Sequence, residues 1–352
     1  MAMFGGSKKV FTQADIPTPE IIEPESVPSL RWGIFGAGDI AEVFAETVKR
    51  NTKQQLVAVA SRTPGKGEAF AAKHGIASAH ASYEQLAARD DIDAIYVATL
   101  PHRHLSDSLI AINQGKHVLV EKPSAISAAE ARQLYSTARE RGVFAMEAMW
   151  TRYLPQSSII RQLVADQALG EIRLLQADFG QDNRSVARLW LPEASIMQDM
   201  GIYPISFAQM ILGSPSKIFA NGVLHSSTNE AMANVFLEYE SGARAVITVS
   251  AQSYIPTGAS VSGDLGLLVM KTPFFVPSGF SLHEASFAGT GPNWTDDSDI
   301  QGHAGLCYQV NHFAKYVGDG LSESPLHSHA ETVEAIEIGE EIRRQIGVKL
   351  PA

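Results

Sequence analysis

The side chains whose types and spacing best suit proton transfer are Lys122, Asp199 and Tyr203. A phenol ionises near pH ~10, and a neighbouring ammonium lowers that pKa. A lysine beside a tyrosine can therefore take the proton of a hydroxyl. Asp199 precedes Tyr203 by four residues at the predicted start of a helix, so both can lie on one face and Asp199 can orient a ligand. On residue chemistry alone, a helix cap at Asp199 and a core position for Tyr203 are simpler interpretations than catalysis.

A glycine turn lies upstream of these residues, in the segment LRWGIFGAGDIA at positions 30–41. The segment has the order strand, tight turn and helix start. Gly36 permits the turn, Gly38 lets a pyrophosphate approach the backbone, and Ala41 allows close packing of helix and strand. Ordinary strand-to-helix turns share this pattern. In its context it predicts a dinucleotide site contacted by Gly36, Gly38, Asp39 and Ile40.

The context is an alternation of short apolar strands and helical stretches over residues 30–150, which predicts a doubly wound parallel sheet. Strands follow each other in near succession after residue 171, which predicts an α+β domain over 151–330 with a large, mostly antiparallel sheet. A helix and tail occupy 331–352. Residues 1–29, rich in proline and glutamate, are expected to form an extended or disordered arm, with docking on a partner subunit as the alternative.

The end of the second predicted strand distinguishes the two nicotinamide dinucleotides. A carboxylate at this position accepts hydrogen bonds from the ribose of NAD. Here the strand ends in Ser61-Arg62-Thr63 and no acid is present. Arg62 can bind a 2′-phosphate, Ser61 can donate a hydrogen bond, and Lys66 is within reach. The sequence therefore favours NADP, although Arg62 can also be an ordinary solvated charge.

The ends of two further strands supply the remaining predicted cofactor contacts. Carboxyl ends of parallel strands face the ligand crevice, which places Thr99 and His102 there after one strand. The tripeptide Glu121-Lys122-Pro123 follows the next strand, and its proline allows a cis peptide. The nearby His104 either touches the cofactor or caps the following helix.

This tripeptide, after a Rossmann half, resembles the glucose–fructose oxidoreductase/inositol dehydrogenase family. The segments 146–155, 199–203 and 346–348 are similar to the branch with dimeric dihydrodiol dehydrogenases and NADP-dependent D-xylose dehydrogenases. The resemblance runs from about residue 30 to the C-terminus. It favours catalysis by Lys122, Asp199 and Tyr203, and histidine often replaces this tyrosine elsewhere in the family.

The resemblance also implies that Trp150, Arg173 and Phe179 line the substrate pocket with Tyr203, although Trp150 and Phe179 suit a domain core equally well. The expected activity is hydride transfer to NADP⁺ from an aldose such as D-xylose or D-glucose, or from a trans-dihydrodiol. One alternative is a sugar–sugar oxidoreductase that retains its NADP. The other is a non-catalytic NADP sensor, which would not need the three proposed catalytic residues together.

Composition and residue spacing argue against several other classes of protein. The net charge of −10 argues against a nucleic-acid partner. No apolar run reaches the ~20 residues of a membrane span. The single cysteine, Cys307, rules out an internal disulfide, and together these features favour the cytoplasm. The close histidine pairs, His102-x-His104 and His327-x-His329, lack further ligands at useful spacing, so no metal is expected.

A homodimer, or a tetramer, is expected through the C-terminal sheet. The strands Met232–Tyr239 and Arg244–Ser250 are apolar enough to leave a face that needs a partner. The sequence assigns no role to residues 274–299.

Overall fold

The structure is a computed structural model that describes residues 9–191, 194–226, 228–286 and 289–350. The chain forms two compact units. Residues 21–154 and 300–337 form what we call the parallel-sheet unit. Residues 1–20, 155–299 and 338–352 form what we call the mixed-sheet unit. The domain limits predicted from sequence stay predictions, and residues 1–8 of the predicted arm lie outside the described residues.

The parallel-sheet unit contains a six-stranded parallel sheet in the order β3-β2-β1-β4-β5-β6. Its strands are β1 (Arg31–Phe35), β2 (Gln55–Ala60), β3 (Ser78–His80), β4 (Ala94–Val97), β5 (His117–Val120) and β6 (Ala145–Glu147). Its helices are α1 (Asp39–Asn51), α2 (Lys66–His74), α3 (Tyr83–Ala87), α4 (His104–Asn113), α5 (Ala128–Glu140) and α8 (Leu306–Gly318). Because helices cover both faces, inner strands such as β4 are buried at every residue. The predicted doubly wound sheet is confirmed.

The mixed-sheet unit contains an eight-stranded sheet in the order β14-β13-β12-β11-β7-β10-β9-β8. Its strands are β7 (Ile172–Gly180), β8 (Lys217–Leu224), β9 (Glu230–Glu238), β10 (Arg244–Ser250), β11 (Ala259–Gly263), β12 (Gly266–Met270), β13 (Gly279–Glu284) and β14 (Asn293–Thr295). Its helices are α6 (Pro155–Ala165) and α7 (Ile202–Leu212), while α9 (His329–Ile346) runs from one unit into the other. Among the strands that the structure describes in this sheet, only β7 and β10 pair in parallel, so the predicted mostly antiparallel sheet is confirmed.

Several short strands were not predicted. The strand β3 has three residues, too few for a hydrophobic pattern. The strands β13 and β14 lie in the segment 274–299, to which the sequence assigns no role, and they extend the sheet beyond β12. Their glycine and proline content hides the alternation that marks a strand.

One face of the mixed sheet carries exposed apolar side chains. In register across β8, β9 and β10 lie Phe219, Phe236 and Val246, whose exposed fractions are 51%, 39% and 36%. The alternate residues of β9 and β10 are buried, and α7 packs against β7 and β10. This alternation is typical of an antiparallel sheet with one covered face.

The described part of the N-terminal arm contains two short 3-10 turns, Gln13–Asp15 and Pro24–Ser26, and is bound to its own chain. In the mixed-sheet unit, Phe11 is buried and Lys9 Nζ donates to the Ala168 carbonyl at 3.2 Å. The backbone N–H of Glu20 donates to Ser158 Oγ at 2.9 Å. In the parallel-sheet unit, Gln54 Nε2 donates to the Pro28 carbonyl at 2.9 Å. Docking of this arm on a partner subunit stays a prediction.

Candidate active site

The glycine turn between β1 and α1 forms a cradle in the parallel-sheet unit. Gly36 has a φ of +96°, and a Cβ on it would lie 2.6 Å from the Ala98 carbonyl oxygen. Only glycine fits that position. Gly38 caps α1 without a side-chain hydrogen bond, and a Cβ there would meet no atom within 4 Å. Asp39 and Ile40 begin the helix. The N-terminus of α1 therefore presents backbone N–H groups to open space, as a pyrophosphate requires.

The residues predicted to bind a 2′-phosphate follow β2, next to α4. The guanidinium of Arg62 lies over the Tyr83 ring, 4.9 Å from its centroid. One of its nitrogens lies 3.7 Å from Oδ2 of Asp107, a fully buried carboxylate. The guanidinium of Arg103 donates to the other oxygen of Asp107 at 3.0 Å. Two arginines thus surround one carboxylate, and the cluster keeps a net positive charge.

Sequence reasoning missed Asp107 and Arg103, because both lie on or before α4, far along the chain from β2. Ser61 is buried, and its Oγ accepts a hydrogen bond from the Thr63 N–H at 3.3 Å. Lys66 is exposed at the start of α2.

The loop after β4 is tied to the turn after β5 by His104. Its two ring nitrogens lie 2.7 Å from the Pro123 carbonyl oxygen and 3.0 Å from that of Thr99. Burial lowers the pKa of His104, whereas these two carbonyls raise it. His104 is therefore a brace between two predicted cofactor loops, and the neighbouring His102 is exposed.

The tripeptide after β5 contains a buried acid, a lysine and a cis peptide. The Lys122–Pro123 bond is cis. Tyr96 donates a hydrogen bond to Oε1 of Glu121. Burial raises the pKa of the Glu121 carboxyl to about 7, while the bond from Tyr96 and the charge of Lys122 oppose that rise. The carboxylate and the lysine are thus electrostatically coupled.

A histidine that the sequence did not single out lies near Lys122. The ring of His303 stacks on Trp150, with centroids 5.5 Å apart and planes at 21°. Burial lowers the pKa of His303, and the positive charge of Lys122 lowers it further. Trp150, predicted as a pocket residue, is 3% exposed. His303 occurs in a short segment before α8 with no recognisable motif, so only the fold reveals it.

These features fit a nicotinamide dinucleotide. The turn at Gly36 and Gly38 would hold the pyrophosphate. Arg62 would bind the 2′-phosphate of the ribose. The loop at Thr99 and the tripeptide at Lys122 follow strands that end at the same edge of the sheet, where ligands of doubly wound folds bind.

In the mixed-sheet unit, Asp199 lies in an element that the sequence did not predict. Residues Met197–Gly201 form a π-helical turn, and α7 starts only at Ile202. Asp199 therefore lies at the start of a helical segment, as predicted, but this first turn is π-helical and not α-helical. Its carboxylate accepts a hydrogen bond at 3.3 Å from Arg188, which lies in a short 3-10 segment. The hydroxyl of Ser195, and not Asp199, accepts hydrogen bonds from the first N–H groups of this segment, and π-turns are frequent at functional sites.

Tyr203 lies in an aromatic cluster in the same unit. Its ring centroid is 5.6 Å from that of Phe179 and 5.1 Å from that of Phe275. The two phenylalanine rings are stacked, 4.7 Å apart at 13°. Tyr203 is 8% exposed. Phe275 was missed because it belongs to the glycine- and proline-rich segment without a strand pattern.

The structure does not bring Arg173 to this cluster. Arg173 precedes Phe179 by six residues on β7, which corresponds to ~20 Å along a strand. Its guanidinium donates to both oxygens of Glu171 at 2.8 and 2.7 Å, and it lies 3.9 Å from Asp264. Arg173 is thus held in an exposed ion-pair group.

Neither a metal-binding cluster nor a membrane-spanning helix occurs in the described residues. No group of three or more histidine, cysteine, aspartate or glutamate side chains is arranged to hold a metal ion there. Within the same residues, every helix is too short or too polar to cross a membrane.

Comparison with known proteins identifies the family. Residues 30–149 match the family model described as "Oxidoreductase family, NAD-binding Rossmann fold", and residues 158–269 match the "GFO/IDH/MocA C-terminal domain". The trans-1,2-dihydrobenzene-1,2-diol dehydrogenase of Sus scrofa is 34% identical over 332 residues, covering 92% of this chain and 98% of that protein. The protein of the same name from Homo sapiens is 32% identical over 329 residues, with the same coverage.

Solved structures share the fold at lower identity. A levoglucosan dehydrogenase in complex with NADH and levoglucosan has a TM-score of 0.81 at 17% identity, covering 91% of this chain and 97% of that one. The aldose–aldose oxidoreductase of Caulobacter crescentus has a TM-score of 0.79 at 22% identity, covering 91% and 98%. Family models on both units and relatives matched over nearly their whole length lead to one conclusion: this chain belongs to the GFO/IDH/MocA oxidoreductase family.

Proposed function

We propose that this protein is an NADP-dependent dehydrogenase that oxidises a CH–OH group, with a trans-dihydrodiol as the first choice of substrate and an aldose as the second. The observation that carries the proposal is the phenol of Tyr203 packed against Phe179 and Phe275, four residues after Asp199. A hydroxyl acid–base group beside apolar ring faces suits a substrate that has both a ring and a secondary alcohol.

The proposed reaction converts the alcohol to a carbonyl. Tyr203, as the phenolate, takes the proton of the substrate O–H, and the electrons of that bond form the carbonyl. A bound NADP⁺ would supply the hydride acceptor for the hydrogen on the substrate carbon, which leaves with its electron pair. Lys122 acts with Tyr203 in this proposal because its positive charge favours the phenolate. Asp199, held by Arg188, accepts a hydrogen bond from a second substrate hydroxyl.

The preference for a diol rests on two supports. The aromatic cluster offers ring faces on which a flat cyclic diol can stack. The relatives at 32–34% identity are named as dihydrodiol dehydrogenases, whereas the sugar enzymes resemble this chain at 22% identity or less. An aldose, which would be oxidised at its anomeric hydroxyl to the lactone, stays the second choice because sugars also stack on aromatic faces.

The first experiment follows NADP⁺ reduction by the nicotinamide absorbance with a trans-dihydrodiol, D-xylose and D-glucose in turn. Turnover with the diol that exceeds turnover with both sugars supports the proposal. Turnover with a sugar alone would move the substrate assignment to an aldose. No turnover with any of them would contradict the dehydrogenase proposal and favour a sensor.

The choice of NADP over NAD rests on Arg62. Its guanidinium lies over Tyr83 and near Asp107, so it is pre-oriented at the end of β2. We expect Arg62→Ala to weaken NADP⁺ binding by about 10- to 100-fold, as for loss of a hydrogen bond between charged groups. The affinity for NAD⁺, which has no 2′-phosphate, should change by less than about threefold. Equal losses for both nucleotides would contradict this assignment.

A retained-cofactor sugar–sugar oxidoreductase is the second candidate function. An N-terminal arm that covered the cofactor would favour it, and residues 9–29 of this chain form an arm bound to their own chain. The retained-cofactor enzyme and the dehydrogenase are distinguished by the amount of NADP(H) released when protein purified without added nucleotide is denatured. A full equivalent of released NADP(H) supports retention, whereas a small fraction supports exchange in every turnover.

We also propose that the protein forms a homodimer through the open face of the mixed sheet, with a tetramer as the larger alternative. The row from Phe219 through Phe236 to Val246 is apolar, and Val223, further along β8, is 48% exposed. A second copy of the same face is self-complementary under two-fold symmetry. Contiguous exposed apolar residues of this kind mark interaction surfaces.

A further inference from the structure

A buried ion pair lies next to the turn that carries Asp199. In the mixed-sheet unit, Arg343 Nε donates to Oε2 of Glu230 at 3.0 Å. Glu230 is 0% exposed and Arg343 5% exposed. The arginine also donates from Nη2 to the Thr228 carbonyl at 3.0 Å. Arg343 belongs to the last helix, 113 residues from Glu230 along the chain, so only the tertiary fold makes this pair.

The second oxygen of Glu230 binds the start of the π-turn. It accepts hydrogen bonds from the Ser195 hydroxyl and, at 3.0 Å, from the Met197 N–H. Oγ of Ser195 lies 3.2 Å from the Gln198 N–H and accepts from it. The Asp199 N–H donates to the Ser195 carbonyl at 3.0 Å. The N–H groups of the first turn are therefore bound by Glu230 and Ser195.

These contacts answer a specific structural need. The first N–H groups of any helical turn have no partner within the helix, and here the turn is buried, so water does not replace them. A carboxylate is the strongest neutral-pH acceptor for such groups, but burying it alone is costly. Arg343 supplies the compensating charge. An apolar pair of similar size would leave the Met197 N–H and the Ser195 hydroxyl without this acceptor, so the ion pair serves to fix the turn.

We propose that Ser195, Glu230 and Arg343 are positioning residues that fix the π-turn and thereby hold the Asp199 carboxylate toward the substrate. The inference rests on the proposed function, in which Asp199 binds a substrate hydroxyl. It assigns the C-terminal helix a part in the reaction, through Arg343, without any contact to the reacting atoms.

A double-mutant cycle tests the inference with Ser195→Ala and Asp199→Asn. We expect Ser195→Ala to lower kcat for the oxidised alcohol by about tenfold, because small misplacements of positioning groups reduce rate strongly. The KM for NADP⁺ should stay within twofold. In the Asp199→Asn background, Ser195→Ala should cause no further loss. Equal losses in both backgrounds would overturn the inference, because the effect would then not act through Asp199.

Arg343 is tested with a conservative variant and a matched control. Arg343→Lys keeps the positive charge beside Glu230 but not the guanidinium that binds Glu230 and Thr228 together, so the protein should fold. We expect kcat to fall by about three- to tenfold. The control is Arg344→Met, which removes the next arginine of the same helix, exposed and paired with Glu341 at 2.6 Å. An equal effect of both variants on kcat would contradict a specific role for Arg343.

A measurement independent of turnover separates this inference from the proposed function. Amide hydrogen exchange of residues 195–203 should accelerate at least tenfold in Ser195→Ala and Arg343→Lys, and remain at the wild-type rate in Arg344→Met. Unchanged exchange in the first two variants would overturn the inference. Wild-type protein that oxidises no alcohol would contradict the proposed function, while the exchange result would still decide whether the three residues hold the turn.

Discussion

At the scale of single residues, Tyr203 combines two properties that a substitution can separate. Its ring packs against Phe179 and Phe275, and its hydroxyl carries the proposed proton transfer. Phenylalanine keeps the ring and removes only the hydroxyl. The structural contribution of this residue is therefore retained when the chemical one is lost.

We expect Tyr203→Phe to lower kcat/KM by about 10²- to 10⁴-fold, the usual contribution of a general acid or base. The dissociation constant of NADP⁺, measured by nucleotide fluorescence, should stay within twofold because its predicted contacts lie in the parallel-sheet unit. The matched control is Tyr239→Phe, which removes a hydroxyl from another buried tyrosine of the mixed-sheet unit and should keep full activity. A Tyr203→Phe protein with more than a tenth of wild-type activity would contradict the assignment.

Glu121 gives a pH-dependent prediction. Its ordinary pKa of 4.5 is raised to about 7 by burial. Between these values the folded protein holds a proton that the unfolded chain has released, so the free energy of unfolding falls as pH rises through this window. Glu121→Gln replaces the carboxyl with an amide that does not titrate. We expect the stability of the variant relative to wild type to increase by roughly 2–3 kcal/mol from pH 5 to pH 8.

Denaturant unfolding at each pH measures this difference for the protein without nucleotide. A difference between variant and wild type that does not change with pH would show that the Glu121 carboxyl does not titrate in this window.

At the scale of elements, the strand–turn–helix from β1 to α1 uses two glycines for different reasons. Gly36 has a positive φ and lies against the Ala98 carbonyl, so its constraint comes from the protein itself. Gly38 has an ordinary backbone φ of −93° and open space above it, so its constraint would come from a bound pyrophosphate.

Alanine at each glycine should therefore give opposite results. We expect Gly36→Ala to destabilise the protein by roughly 2–5 kcal/mol through backbone strain and steric overlap. We expect Gly38→Ala to change stability by about 1 kcal/mol or less, but to weaken NADP⁺ binding at least tenfold. Thermal unfolding and nucleotide titration of both variants provide the measurements. Unchanged nucleotide affinity in Gly38→Ala would contradict the assignment of this glycine turn as the pyrophosphate site.

At the scale of the whole molecule, the open face of the mixed sheet determines the expected assembly. Phe236 lies between Phe219 and Val246 in register. Phe236→Asp places a charge at the centre of the proposed interface, where it would be buried without a partner. We expect light scattering with size-exclusion chromatography to show a dimer for wild type and a monomer for the variant.

The control for this experiment is Val10→Asp, which adds the same charge at an apolar residue that is 68% exposed on the arm. It should leave the dimer intact. A wild-type monomer at micromolar concentration would contradict the proposed assembly.

Short stretches of the amino-acid sequence were enough to predict the parallel sheet, the glycine turn and the class of cofactor. These features depend on residues close together in the chain: glycines at fixed spacing from a strand, and apolar periodicity that local sterics turn into strands and helices. The roles proposed for Lys122 and Tyr203 came instead from the resemblance of their segments to the family, because residue chemistry alone favours a core role for Tyr203.

The side chains that contact these predicted site residues from distant parts of the sequence were visible only in the tertiary structure. Asp107 and Arg103 beside Arg62, His303 on Trp150, Phe275 against Tyr203, and Arg343 on Glu230 are contacts between residues far apart in sequence. No local pattern encodes them. The π-turn at Asp199 belongs with them, because Ser195 and Glu230 accept buried hydrogen bonds from its first N–H groups, where local propensity predicts an ordinary α-helix.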